Sequence, residues 1–102
     1  MNSLSLNDVS DKLIALAEEE ETLYPDYYKA ELDYNNEKAK TLMSSEVSGL
    51  AAQPQREAEC LRIMAQKPIY KKYHDLAIEY HRHEKQYRIY MQIARNLNNY
   101  GQ

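Results

Sequence analysis

The chain of 102 residues has a formal charge of −3, ten tyrosines, no phenylalanine or tryptophan, two glycines and one cysteine. At that length one domain over residues 1–102 is expected, burying roughly two thirds of the unfolded chain's surface. The composition excludes a glycine-rich phosphate loop, an intramolecular disulfide and a Cys-x-x-Cys site, and no apolar run approaches the roughly 18 residues of a membrane span.

The first predicted helix covers about 6–20. Leu6, Val9, Leu13 and Leu16 recur at helical spacing, Ile14 and Ala17 widen the stripe, and Ser5 or Asn7 can cap its start. Glu18 to Glu21 would oppose the dipole at the end of such a helix. They suit the lead into a second helix over 25–44, opened by Pro25 in a first turn that needs no N–H donor. In that helix Tyr28, Leu32, Asn35, Ala39, Leu42 and Met43 are expected inward. Asn35 is either a register-setting buried polar residue or a solvated edge position.

Residues 44–53, Ser-Ser-Glu-Val-Ser-Gly-Leu-Ala-Ala-Gln, read as a loop. Pro54 opens a third helix over 54–66, with Ala58, Leu61, Met64 and Ala65 inward, and Pro68 ends it because the residue before a proline avoids the α region. The fourth helix runs over 68–98. Ile69, Tyr73, Leu76, Tyr80, Tyr87, Tyr90, Ala94 and Leu97 alternate in steps of three and four, with His83 in the same stripe. That is the seam of a helix packed on other helices. The expected fold is all-α: four helices in a bundle or hairpin assembly, some of it coiled-coil-like, with the last helix as backbone.

Charge divides the chain. Residues 1–55 hold 4 Lys/Arg against 11 Asp/Glu, and residues 56–102 hold 9 against 5. The halves attract each other when folded antiparallel, or each attracts the opposite half of a second copy. Leu, Ile and Val total only 19 residues, so the core is thin and a homo-oligomer, most simply a homodimer, would supplement it.

His81-Arg82-His83-Glu84 has the residue types of a metal site without its spacing. The two histidines project about 200° apart on a helix, and Tyr87 stands where a His-Glu-x-x-His pair needs its second imidazole. Glu79 and His83 are spaced for a di-iron bundle but have no matching pair on a second helix. The expected reading is one inward histidine bonded to a tyrosine hydroxyl or to Asn35, with His74 and His81 solvated. Cys60 has no histidine in obvious reach that would activate its thiol. Neither a metal nor another cofactor is expected, and a non-enzyme is favoured.

Two candidate surfaces remain. Tyr27, Tyr34, Tyr70 and Tyr100 lie off the predicted stripes, and partly exposed tyrosine is enriched where proteins meet. Lys71, Lys72, Arg82, Lys85, Arg88 and Arg95 make the last helix basic with aromatic residues interleaved, a combination that suits single-stranded nucleic acid. Against that reading stand the acidic pI of about 5.6 and the spacing of Glu84 and Arg88, which fits an ordinary i,i+4 ion pair.

Gly49-Leu50, Gln55-Arg56-Glu57-Ala58, Pro68-x-Tyr70 and the long tyrosine-bearing helix after them together resemble a type of small helical protein encoded in the early regions of bacteriophages and prophages, often near replication and recombination genes. The resemblance covers about half the chain and excludes its acidic first quarter. It implies a bacterial cytoplasmic setting, consistent with the lack of a charged-then-apolar leader, and an accessory, non-catalytic role, and it transfers no site residues. The expected function is protein–protein interaction, with itself and with a host or phage protein. The alternative is a single-strand-binding replication or recombination accessory.

Overall fold

The computed structural model describes residues 4–100, the side chain of Tyr100 excepted. These residues form four helices and no strand: α1 (Leu6–Met43), α2 (Ser45–Ser48), α3 (Gln53–Met64) and α4 (Pro68–Tyr100). None of them is long and apolar enough to cross a membrane.

Helix α1 begins at a reciprocal cap. The Asp8 N–H donates to Ser5 Oγ at 3.1 Å, and the Ser5 N–H donates to the Asp8 carboxylate at 3.2 Å. Interaction with the Ser5 hydroxyl, and then with its backbone, holds the Asp8 carboxyl below its ordinary range.

The helix then runs through Pro25, so the two helices expected over 6–20 and 25–44 are one. A proline inside a helix leaves the carbonyl four residues earlier, that of Glu21, without its N–H partner. Glu21, Thr22 and Pro25 are all exposed, so water can serve that carbonyl. The acidic run Glu18 to Glu21 therefore sits mid-helix, where the terminal dipole does not act on it.

The chain divides into two compact units, one joining the chain up to Pro25 with the chain from Ile78 onward, the other made of Asp26–Ala77. In the first unit α1 buries Val9 and Leu16, while Leu13, Glu20 and Leu23 are half-buried on the same stripe. Leu6 and Ile14 are exposed at 46% and 58%, and Ala17 is exposed too, so this stripe is narrower than the sequence suggested. From α4 come buried His83 and half-buried Tyr80, Tyr90, Met91, Ala94 and Leu97. Tyr24 meets Tyr80 at 5.8 Å between ring centroids, and Lys12 lies 5.9 Å from the Tyr90 ring centre.

The second unit has a larger interior. Val47, Cys60 and Met64 form a buried cluster, and Tyr34, Ile63, Ile69 and Tyr70 pack on it. Val47 belongs to α2, a single turn inside the predicted loop, which exists because burying Val47 fixes it there. The Arg56 guanidinium donates to the carbonyls of Leu50 and Ala51 at 2.8 and 3.1 Å and ties down the rest of that loop.

On α3 the inward residues are Cys60, Ile63 and Met64. Of those expected inward only Met64 is; Leu61 is 54% exposed, and Ala58 and Ala65 are exposed. On α1 the inward face within this unit is Tyr27, Ala30, Tyr34, Glu37 and Thr41, whereas Tyr28, Leu32, Asn35, Ala39, Leu42 and Met43 all lie outside. Asn35 is thus the solvated edge residue of the two readings. Glu37 and Thr41 are accommodated because Lys67 Nζ donates to both, at 2.5 and 3.3 Å, while Thr41 Oγ1 donates to the Glu37 carbonyl at 2.9 Å. The Lys67 ammonium holds the Glu37 carboxyl below its usual range.

Tyr34 stacks on Tyr73 at 4.6 Å, Tyr27 stacks on Tyr73 at 6.0 Å, and Tyr70 lies 4.1 Å from the His74 ring. Burial pushes the phenols of Tyr27 and Tyr34 up, helped by Glu31 at Tyr27 and by neighbouring Tyr70 at Tyr34. In the first unit burial and then Glu84 push up Tyr80.

A raised phenol pKa in the folded state means that stability is intact below the unfolded value of 10.0 and is lost as pH rises beyond it, where the unfolded chain sheds the protons and the folded one keeps them. Alkaline titration followed by tyrosinate absorbance and circular dichroism is therefore expected to show these phenols ionising together with loss of helix. Full ionisation of all tyrosines with the helix signal unchanged would contradict the packing described.

Candidate interaction surface

The tyrosines singled out from the sequence do not make an exposed patch. Tyr27, Tyr34 and Tyr70 are half-buried and belong to the aromatic cluster of the second unit, where their faces are used on Tyr73 and His74. Tyr27 and Tyr34 lie on the inward stripe of α1, not off it. The side chain of Tyr100 lies outside the described residues.

The six cations of α4 are all exposed, but they divide between the two units. Lys71 and Lys72 belong to the second unit, where Lys71 is paired with Asp75 at 2.6 Å. Arg82, Lys85, Arg88 and Arg95 belong to the first unit. Among the described residues no carboxylate lies within ion-pair distance of any of these four. The expected Glu84–Arg88 pair does not form, because Glu84 turns to His81, whose Nδ1 is 3.2 Å from its carboxylate.

Helical spacing sets out what surrounds these cations. Ile78, Arg82, Lys85 and Ile89 follow steps of four, three and four, so they form a stripe along one face of α4. All four are exposed, Ile78 at 59% and Ile89 at 47%. Gln92 and Asn96 continue the stripe and bond to each other at 3.2 Å. Arg88 and Arg95 flank it, and no Asp or Glu falls on it. The tyrosines that the sequence interleaves with the cations stand elsewhere in space: Tyr80 and Tyr90 are half-buried on the packed side, and Tyr87 is 38% exposed at its edge. The exposed face is cationic and aliphatic rather than cationic and aromatic.

On the packed side, His83 is 6% exposed and its Nε2 lies 2.6 Å from the carbonyl of Leu16. A carbonyl only accepts, so Nε2 carries the hydrogen and donates. This partner differs from the tyrosine hydroxyl or Asn35 expected from the sequence. The Glu19 carboxylate is 4.0 Å away, beyond hydrogen-bond reach. Beside it Glu20, His83, Glu84, Tyr87 and Arg88 line an open cleft of about 270 Å³. His74, expected in solvent, is half-buried, with Nδ1 2.7 Å from the Tyr70 carbonyl; His81 is exposed. Among the described residues no group of three or more His, Cys, Asp or Glu could hold a metal ion. Cys60 is buried, with Sγ 3.9 Å from the Lys38 carbonyl.

The sequence singled out the cations but missed Ile78 and Ile89. The signal was present, since both fall off the seam at the spacing of the cations between them. Comparison with protein-family models, with curated proteins and with solved structures finds no match for this chain.

Proposed function

We propose that this is a non-enzymatic accessory protein of the phage or prophage kind, acting in the bacterial cytoplasm by protein–protein interaction, including self-association, through the outward face of α4 between Ile78 and Asn96. The observation that carries the reading is the stripe of unpaired cations bracketed by two exposed isoleucines. A protein partner seated on this face would cover Ile78 and Ile89 together with the cations between them. The thin interior of the first unit, with Val9 and Leu16 its only fully buried apolar side chains among the described residues, points the same way.

The unpaired cations also favour a second reading, single-strand binding. It is the weaker one because such sites need rings beside the cations for bases to stack on, and here the rings are on the packed side. Fluorescence anisotropy of labelled single-stranded DNA, at low and physiological salt, alongside the solution mass by light scattering, separates the two. The expected result is a mass that rises above the monomer with concentration and no salt-sensitive DNA binding. DNA binding that weakens with salt and is abolished in R82E/K85E/R88E would replace the first reading with the second.

A further inference from the structure

We infer that the partner of the α4 face is the acidic outward face of α1 on a second copy of this chain; the inference rests on the protein-interaction reading above. Asp11, Ile14, Glu18 and Glu21 follow steps of three, four and three along α1, all four are exposed, and Ile14, at 58%, is among the most exposed large apolar side chains described. This stripe has the spacing of the α4 stripe and the opposite charge. Laid antiparallel, the two match position by position: Ile14 meets Ile89, Glu18 meets Lys85, Glu21 meets Arg82, and exposed Pro25 meets Ile78. At the far end Asp11 reaches Gln92. Ile14 and Pro25 each find an apolar residue, Glu18 and Glu21 each find a cation, and only Asp11 faces a neutral amide.

The two stripes of one chain cannot satisfy each other. In the first unit α1 and α4 already meet through Leu16, Tyr24, Tyr80 and His83. Glu18 is two residues from Leu16 and Lys85 two residues from His83, a rotation of about 200° on each helix, so both stripes point away from the packed side. The contact must therefore be made between copies. Because each copy offers one acidic and one basic stripe on opposite sides of the unit, the contact is heterologous and does not close at a dimer.

The stretch from Ile78 to Ile89 is about 16 Å of helix, so a single contact belongs to the weak, transient class of interface. Its charge pairs are exposed and weaken with salt.

Sedimentation velocity of the intact chain from micromolar to millimolar concentration, at low and high salt, tests this with three variants checked by circular dichroism. The wild-type mass is expected to rise past the dimer with concentration and to fall with salt. E18K/E21K and R82E/K85E are each expected to stay monomeric alone, to associate when mixed, and the fourfold variant E18K/E21K/R82E/K85E is expected to recover self-association. Loss of association in R82E/K85E but not in E18K/E21K would overturn this inference while leaving the α4 face as the interaction surface. A wild-type chain monomeric throughout at low salt would overturn both.

Discussion

Leu16→Ala is expected to destabilise the protein by about 3 kcal/mol, within the range for truncating a buried leucine. Leu16 is 1% exposed and is the largest fully buried side chain described. In its unit only Val9 and His83 share that burial, so little apolar material can move in to fill the space. A chain of this size with a thin core sits near the low end of native stabilities, and a loss of that order corresponds to a fall in Tm of roughly 10–20 °C. Leu32→Ala is the matched control. Leu32 is 47% exposed, and its truncation is expected to change stability by no more than about 0.5 kcal/mol. Urea unfolding of both variants gives the comparison. Equal, small effects would mean that Leu16 is not a core residue.

Pro25→Ala is expected to act in the other direction, raising stability by about 1–2 kcal/mol. In a helix interior proline is worse than alanine by about 3 kcal/mol, because it removes an N–H and crowds the preceding turn. Part of the gain is offset because alanine leaves the unfolded chain freer, an effect of up to about 1 kcal/mol. What remains corresponds to a rise in Tm of roughly 5–15 °C. Pro25 is exposed, so the substitution opens no cavity. Differential scanning calorimetry is the direct measurement, and an unchanged or lower Tm would show that α1 depends on a distortion the proline supplies.

Pro25 also marks where the sequence misleads, and the seam of α4 where it does not. The seam of α4 was legible: of its nine predicted positions eight are buried or half-buried and Tyr87 lies at the edge. Nothing interrupts the alternation there, and large rings announce it. In α1 the pattern misleads at Pro25, because a proline that fits a first turn suggests a helix start there and resets the phase at Tyr28. Carried straight through, the steps of four and three from Val9, Leu13 and Leu16 reach Leu23, Tyr27, Ala30, Tyr34 and Thr41, which is the inward face found.

Hydropathy could not have shown this, since Glu20, Glu37 and Thr41 occupy the same stripe. Those three are tolerated by particular partners or by partial exposure, and a partner such as Lys67 is invisible until the chain between has folded. The same holds for the candidate surface. Charge alone identified the cations of α4, but that Arg88 would be left unpaired depended on Glu84 choosing His81.

The division of the chain also constrains the order of events during synthesis. The unit formed from Asp26–Ala77 is one unbroken stretch and has all its parts once Ala77 has been made. The other draws on both extremities of the chain, so the N-terminal part of α1, with its carboxylates and the apolar side chains of Val9, Leu13 and Leu16, must wait for α4 to be completed. If Asp26–Ala77 folds first, those 52 residues are no longer a flexible loop, and the entropic cost of closing such a loop falls. Until then that apolar stripe is open to whatever else the cell presents to it.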